Sequence, residues 1–431
     1  MKEIKLAFFT QGCRLNQSET ASLEQSFVKA GFSLSEFSDQ TTIAVVNTCT
    51  VTENGDVDSR KLINKITREN PSCQVAMIGC QSQVLKEQLL SLKNVKWVVG
   101  NAEKMQLPDI IAETLERDDP VVRVAKIQRR PFTIQSSSQS LKQTRANLKI
   151  QDGCDFYCSF CVIPFARGPA RSRVFDDLFR EAAELVSMGY QELVLTGVNL
   201  GTYSNSGKSF MDIVYALEEL PGLKRIRVSS IEPTTVDRRF LEHMQADTKL
   251  CRYLHLPLQS GSNAILERMR RKYQLSEFVS FVKMADNLVD DICIGTDVIV
   301  GFPGETKAHF DETTAQLLTL PIHYFHVFSY SERHYARSQR FDGQVSSELI
   351  KERSKILRTV SQKKRNAYWE SFLGTTRFVL FERKKQGLWK GLTDNYIRVE
   401  LESDEDLENQ FRPVRLAGMG RTGVKGQLRG K

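Results

Sequence analysis

Short apolar runs alternate with amphipathic stretches over the first 120 residues. The runs are Lys5–Phe9, Thr42–Val46, Gln74–Ile78 and Val95–Gly100. Between them apolar residues recur at helical spacing, as at Leu62, Ile63 and Ile66. Strand–helix alternation at this spacing predicts parallel β-α-β units. We therefore expect an α/β protein that begins with an open parallel sheet.

The alternation resumes in the middle of the chain and gives way to β-rich sequence near its end. Candidate strands in the middle are Glu192–Leu195, Arg225–Val228, Tyr253–Leu256, Ile294–Val300 and His323–Val327. Each ends near a polar or glycine-rich loop, as functional loops do in a barrel of strands and helices. Beyond a helix running from Leu349 towards Trp369, short β-rich runs broken by glycine predict a small all-β domain. The expected division is 1–120, a linker at 121–145, a barrel at 146–367 and a β-domain at 368–431.

The composition is that of an ordinary globular protein. The chain has 431 residues, of which 41% are hydrophobic and 26% charged. No run approaches ~20 consecutive apolar residues, and the N-terminus lacks the core of a signal peptide. We expect a cytoplasmic protein with no membrane partner. The formal net charge of +8 is compatible with a nucleic-acid partner but does not establish one.

Two segments carry only positive charge. Between Arg123 and Ile150 there are arginines and lysines but no acidic residue, and the same is true from Gln410 onward. Such segments are either solvated surface or contacts for a nucleic-acid backbone. We expect the glycine-rich stretch from Gly420 to Gly430 to be flexible.

Three cysteines stand close together in the spacing C-x3-C-x2-C. Cys154, Cys158 and Cys161 can bind three irons of a four-iron cluster and leave the fourth iron open to a small ligand. No further cysteine or histidine follows closely, and the nearest histidine is His243. A zinc site or a redox pair is the alternative.

Three more cysteines follow predicted strands at equivalent positions. Cys13, Cys49 and Cys80 each lie one to three residues beyond a strand. Because the carboxyl ends of parallel strands form one edge of a sheet, these thiols are expected to converge on a second open site. The alternative is that each is a small packing residue. We interpret Cys73, Cys251 and Cys293 as packing residues, and His255, His323 and His326 as core or loop histidines.

The triplet, with an aromatic Phe160 before its last cysteine, resembles that of the radical S-adenosylmethionine (SAM) enzymes. In those enzymes SAM occupies the open iron, and its one-electron cleavage yields a radical that abstracts hydrogen from C–H bonds. Both cysteine sets together, with the motifs Gln11–Gln17, Asn47–Thr52 and Gly79–Cys80, resemble the methylthiotransferase branch over essentially the whole chain. This resemblance implies two 4Fe-4S clusters and SAM, with the N-terminal cluster carrying or supplying the sulfur.

The resemblance also implies a fold, site residues and partners. The fold is an N-terminal parallel sheet, a partial six-stranded radical-SAM barrel and a C-terminal TRAM domain, which is a small RNA-binding module similar to an oligonucleotide-binding fold. No catalytic residue is implied beyond the cluster ligands. The implied partners are tRNA at its anticodon stem-loop, a one-electron donor such as flavodoxin or ferredoxin, and a sulfur source. The implied SAM-binding residues are Phe160, Gly197, Asn199, Ser230, Glu232, Gln259 and Asp297, and the implied RNA-binding residues are Arg412, Arg415 and Arg421.

The family has three substrate branches, and the motifs most resemble the one that acts on N6-threonylcarbamoyladenosine at position 37 of tRNA. The others act on isopentenyladenosine in tRNA and on an aspartate of a ribosomal protein. Asn199 and the loop Ser329–Tyr335 depart from the pattern expected of that branch. A radical-SAM enzyme acting on a peptide, and a non-catalytic iron–sulfur protein that binds RNA as a sensor, are the competing interpretations.

Overall fold

The computed structural model describes residues 4–134, 144–246 and 248–428. Those residues form a parallel sheet, a partial barrel and a small closed barrel, in that order along the chain. The predicted α/β fold class is confirmed. Within the described ranges, none of the helices combines the length and apolarity needed to cross a membrane.

The N-terminal sheet is parallel throughout and buried on both faces. Leu6 and Val45 pack with Trp97 on one face, whereas Val46 and Met77 pack on the other. Burial of both faces explains why its strands are continuous apolar runs. In spatial order the strands are Ser33–Leu34, Lys5–Thr10, Ile43–Thr48, Gln74–Gly79, Val95–Val99 and Val121–Arg123, and the helices are Arg14–Lys29, Glu53–Glu69, Cys80–Leu85 and Leu107–Thr114.

The sheet extends further along the chain than the apolar runs suggest. Val121–Arg123 pairs with Val95–Val99 as a sixth strand, inside the range expected to be the linker. The segment 135–143, at the centre of that basic stretch, lies outside the described residues.

The partial barrel consists of six parallel strands arranged as two three-stranded sheets. A parallel bridge from Ile226 to Leu250 connects the two sheets. The sequence pattern predicts five of these strands and misses the first, a four-residue strand within the basic stretch. The strands are Ala146–Lys149, Glu192–Thr196, Arg225–Val228, Tyr253–His255, Cys293–Val300 and Tyr324–Ser329, and the main helices around them are Phe175–Ser187, Phe210–Glu218, Arg238–Gln245, Leu275–Leu288, Lys307–Thr319 and Ser347–Glu370.

Alternate residues of each barrel strand face the helices and the barrel interior. Leu193 and Leu195 belong to the large core shared with the helices. Glu192, Val194 and Thr196 point the other way, because successive side chains of a strand lie on opposite faces. The interior is therefore more polar than the outer core.

The C-terminal barrel is closed by five strands. In spatial order they are Thr376–Lys385, Leu388–Leu392, Arg398–Leu401, Val424–Leu428 and Phe411–Met419. The expectation that Gly420 to Gly430 is flexible is wrong for Val424–Leu428, which pairs with strands on both sides. The segment looks unstructured in sequence because it is rich in glycine, which is uncommon inside strands.

The C-terminal barrel covers the end of the partial barrel at which Arg225 and Arg227 lie, and we call this end the floor. Arg225 donates hydrogen bonds to the carbonyls of Leu392 and Phe378, at 3.0 and 2.6 Å. Arg227 pairs with Glu192 at 2.7 Å and also donates to two carbonyls of the C-terminal barrel. The two barrels share one apolar cluster, so the interface is part of the protein core.

Buried charges join the N-terminal sheet to the partial barrel. Glu19, on the helix Arg14–Lys29, pairs with Lys104 of its own domain and with Lys149 and Arg167 of the barrel. Arg167 also contacts Asp152 at 3.1 Å. Burial by itself would raise the pKa of Glu19, but the three cations lower that pKa well below its usual value. The Glu19 carboxylate is therefore ionised at neutral pH.

We expect Glu19→Gln to destabilise the protein by roughly 3 kcal/mol, because buried cations lose their counter-charge. The contribution of the native carboxylate is present above its unfolded pKa of about 4.3 and disappears as the pH falls through its lower folded pKa. Thermal unfolding from about pH 5 to pH 2 should therefore show a flatter pH dependence in the variant. Glu113→Gln, at an exposed position of the same domain, is the control. Identical pH profiles for wild type and Glu19→Gln would contradict the expectation.

Candidate functional site

The three cysteines of the barrel lie on one loop after the first barrel strand. The amide of Cys161 donates to the carbonyl of Cys158 at 3.0 Å, and that of Cys154 to the carbonyl of Gly168 at 3.1 Å. Burial raises the pKa of the Cys154 thiol to about 11 and that of Cys161 to about 12, with a further increase from the neighbouring thiols. The three sulfur atoms thus lie close enough to influence one another.

Arg271 brings a positive charge to this loop. Its guanidinium lies 3.4 Å from the sulfur of Cys158 and 2.6 Å from a carboxylate oxygen of Glu232. A guanidinium at this distance donates a hydrogen bond to the sulfur and brings positive charge beside a candidate cluster ligand. Arg271 was not predicted from the sequence, because a basic pair within a polar segment has no distinguishing local signal.

The three N-terminal cysteines also converge. Cys13 precedes the first helix, Cys49 follows Ile43–Thr48, and Cys80 follows Gln74–Gly79. Burial raises the pKa of the Cys49 thiol to about 12, and the thiols of Cys80 and Cys13 contribute to the increase. Gly12, at φ +84°, passes so close that an added Cβ would lie 2.7 Å from the sulfur of Cys49.

Both thiol sets fit an open iron–sulfur cluster in their donor chemistry. Each supplies three soft sulfur ligands, and none of the described residues adds a fourth cysteine to either set. The remaining cysteines lie elsewhere: Cys73 is buried against one face of the N-terminal sheet, and Cys251 and Cys293 are in the core shared by the two barrels. This distribution agrees with the packing role expected for those three.

A cavity of about 190 Å³ lies between the N-terminal domain and the barrel. Val51 and Thr52 line it from one side, and Phe160, Gln259 and Asp297 from the other. The loop that carries Val51 is attached to the barrel by a buried arginine. This arginine, Arg333, donates to the carbonyl of Thr50 at 3.2 Å and pairs with Asp56 at 2.7 Å.

A second cavity, of about 310 Å³, borders Cys154 and includes Asn199. Asn199 is 2% exposed, yet neither polar atom of its side chain has a hydrogen-bond partner among the described residues. A buried amide without partners costs free energy unless a ligand satisfies it. Asn199 therefore has the properties of a ligand contact.

The other residues expected to bind SAM differ in their surroundings. Glu232 is paired with Arg271, and the hydroxyl of Ser230 lies 3.5 Å from the carbonyl of His255. Gly197 is surrounded by protein, because an added Cβ would lie 2.7 Å from the side chain of Leu200. Packing alone accounts for a glycine at that position.

Asp297 belongs to a cluster with two histidines inside the barrel. Its carboxylate lies 3.0 Å from Nε2 of His255, and His326 completes a group whose polar atoms all lie within 4.8 Å of one another. The interpretation of His255 and His326 as simple core or loop histidines overlooked this cluster. His323 is different: it is partly buried against Tyr368, and this burial lowers its pKa to about 4.

The three arginines expected to bind RNA lie on the C-terminal barrel. Arg412 is paired with Glu405 at 2.9 Å. Arg415 and Arg421 are exposed, and no carboxylate of the described chain lies within ion-pair distance of either. The latter two are thus better placed for an external phosphate than Arg412 is.

Comparisons with protein families match the two cysteine-bearing domains separately. The Radical SAM superfamily model matches residues 148–317, and that of the Uncharacterized protein family UPF0004 matches residues 5–100. Among solved structures, the cobalamin-bound radical S-adenosylmethionine methyltransferase TsrM from Kitasatospora setae aligns with a TM-score of 0.58 at 15% identity. The alignment covers 78% of this chain and 77% of that one. At this identity the likeness shows the fold alone.

Curated relatives match nearly the full length of the chain. The threonylcarbamoyladenosine tRNA methylthiotransferase MtaB of Aquifex aeolicus is 36% identical, with 95% of this chain and 99% of the relative covered. The protein of the same name from Bacillus subtilis is 33% identical, with coverage of 98% and 96%. A tRNA-2-methylthio-N(6)-dimethylallyladenosine synthase of Lawsonia intracellularis is 31% identical, with coverage of 94% and 95%.

Anaerobic reconstitution is expected to load about eight irons per chain, and alanine at Cys154, Cys158 and Cys161 to reduce this to about four. That variant should also lose reductive SAM cleavage. A variant with alanine at Cys73, Cys251 and Cys293 removes the same number of thiols and should retain all the iron. Iron and acid-labile sulfide analysis, with SAM cleavage measured by chromatography, provides the test. Full iron occupancy in the first variant would contradict the assignment.

Proposed function

The chain belongs to the radical-SAM methylthiotransferase family, and on this premise we propose that it converts N6-threonylcarbamoyladenosine at position 37 of tRNA into its 2-methylthio derivative. The observation that carries the proposal is the cavity lined by Val51 and Thr52, close in sequence to Cys49, and by Phe160, which precedes Cys161. A reaction that joins a methylthio group to a carbon atom needs the sulfur and the radical chemistry at one place. In this proposal the base enters that cavity.

Each cysteine set holds one cluster in this proposal. Cys154, Cys158 and Cys161 hold the cluster that binds SAM, and Cys13, Cys49 and Cys80 hold the cluster associated with the sulfur. When bound, SAM and the clusters supply the one-electron chemistry that removes hydrogen from an unreactive C–H bond. The resemblance supplies this division of roles, and the separate positions of the two sets in the fold are consistent with it.

The surrounding side chains bind and orient SAM. Asn199, with its unpartnered buried amide, and Gln259, at the cavity wall, offer hydrogen bonds to the polar groups of SAM. Phe160 presents an aromatic surface to the adenine. Glu232 acts through Arg271, which it holds beside the sulfur of Cys158.

The choice of substrate rests on the relatives. Among the relatives compared, those named for threonylcarbamoyladenosine are 30 to 36% identical and those named for dimethylallyladenosine 28 to 31%, and the two highest of these identities belong to the first group. RNA contacts on the C-terminal barrel would position the anticodon stem-loop, while the cavity recognises the modified base. A one-electron donor and a sulfur source complete the proposed partners.

Purified, reconstituted enzyme should form product from tRNA that carries threonylcarbamoyladenosine and none from tRNA that carries isopentenyladenosine. Mass spectrometry of the digested nucleosides identifies each 2-methylthio product. The enzyme with alanine at Cys13, Cys49 and Cys80 should form no product from either tRNA while retaining some SAM cleavage. Product from the isopentenyl tRNA alone would assign the other substrate branch.

Replacing Arg415 and Arg421 together with glutamine should weaken tRNA binding and reduce its salt dependence. Each lost phosphate contact lowers the slope of log K against log salt by about 1. The control is Arg238→Gln with Arg239→Gln, two exposed arginines on a barrel helix. Fluorescence anisotropy with a labelled anticodon stem-loop, repeated at several salt concentrations, gives both slopes. A slope equal to that of the wild type would exclude these arginines as phosphate contacts.

A further inference from the structure

Arg14 stands out among the arginines of the protein. It follows Cys13 directly and is the first residue of the helix Arg14–Lys29, with its side chain turned towards the first barrel strand. Nη1 of its guanidinium lies 3.5 Å from Oδ1 of Asn147. Across the three described ranges, no carboxylate lies within 4 Å of it. By contrast, every buried arginine in those ranges has a carboxylate partner, namely Arg167, Arg173, Arg225, Arg227, Arg333 and Arg353.

Arg14 lies among other positive charges and neutral phenols, which increases the electrostatic cost of its own charge. The positive charges of Arg145 and Arg227 act on it, and the groups facing it from the barrel floor are the phenols of Tyr253 and Tyr396. Burial raises the pKa of Tyr253, so this phenol is neutral and supplies no counter-charge. A half-buried cation among other cations is costly unless a ligand brings the missing negative charge.

Arg14 lies close to where a substituent on N6 of the substrate base would be placed. Arg14 adjoins one ligand of the sulfur-associated cluster and faces the strand Ala146–Lys149. In an adenine ring C2 and C6 are both bonded to N1, so a base with C2 at that cluster has its N6 substituent close by. Threonylcarbamoyl carries a carboxylate, whereas isopentenyl is an uncharged hydrocarbon. The guanidinium fork binds a carboxylate through two parallel hydrogen bonds.

The barrel interior next to Arg14 is lined by polar side chains that can form hydrogen bonds with a threonylcarbamoyl group. Tyr253 and Tyr324 are joined through their hydroxyls at 2.6 Å, and His255 lies 3.3 Å from the hydroxyl of Tyr324. Asp297 and His326 continue this polar wall towards the cavity. A group with a carboxylate and a hydroxyl can add hydrogen bonds to this polar wall, whereas a hydrocarbon substituent cannot.

We propose that Arg14 is a specificity-determining residue that binds the carboxylate of the threonylcarbamoyl group. This inference rests on the proposed function and adds the side chain that distinguishes the charged substrate from the uncharged one. It assigns Arg14 to substrate recognition rather than to the cluster beside it.

A double-mutant cycle tests the pair directly. The ligands are an anticodon stem-loop with threonylcarbamoyladenosine and the same RNA with its carboxylate converted to the neutral amide. We expect reconstituted wild-type enzyme to bind the carboxylate RNA at least about tenfold more tightly than the amide RNA. Arg14→Gln should reduce that ratio to about one, and Arg14→Lys should give an intermediate ratio, because lysine retains the charge but not the fork. Arg117→Gln, at an exposed arginine of the same domain, should retain the full ratio.

Both RNAs are measured by anisotropy on the same protein preparation. A loss of folded or iron-loaded protein therefore weakens both apparent affinities equally and leaves their ratio unchanged. An unchanged ratio in Arg14→Gln would overturn the proposal. Equal weakening of both RNAs, with the ratio intact, would identify Arg14 as a phosphate contact or a structural residue, and would also overturn it. Product from the isopentenyl tRNA alone would instead reject the proposed function, so the two failures are distinguishable.

Discussion

The position of the N-terminal sheet on the barrel depends on the buried ion cluster centred on Arg167. This guanidinium contacts Glu19 and Asp152 and also donates to Asn16 at 2.6 Å, which connects the first helix to the barrel loop. Desolvation offsets much of the attraction within such a cluster, so its main effect is to favour one relative position. Arg167 follows the cysteine triplet by six residues and Asn16 follows Cys13 by three, so this contact joins the chain segments that carry the two thiol sets.

The sequence predicts those parts of the fold that have a local signature. Parallel strands buried on both faces are continuous apolar runs, and the cysteines that follow them converge because the sheet is parallel throughout. The strand Ala146–Lys149 is missed because it is short and alternates Asn147 and Lys149 with apolar residues, as an interior barrel strand does. The strand Val424–Leu428 is missed because glycine is uncommon inside strands and its segment contains several glycines.

The polar contacts of the site are harder to predict because each joins residues far apart in the chain. Arg271 and Cys158 are separated by 113 residues, and Arg333 and Asp56 by 277. Neither pair has a local spacing that sequence reasoning can detect. The cluster of His255, Asp297 and His326 arises in the same way, because one inward-facing residue from each of three neighbouring strands meets inside the barrel.

The floor of the barrel has a consequence for protein engineering. Arg225 and Arg227 direct four hydrogen bonds at backbone carbonyls of the C-terminal barrel, two from each arginine. Backbone carbonyls are present whatever the side chains, so the sequence of those segments can diverge while their backbone path cannot. A C-terminal barrel grafted from a relative would therefore be compatible if its backbone followed the same path there, even with little sequence in common. Backbone geometry at this interface, more than residue identity, determines which chimaeras can fold.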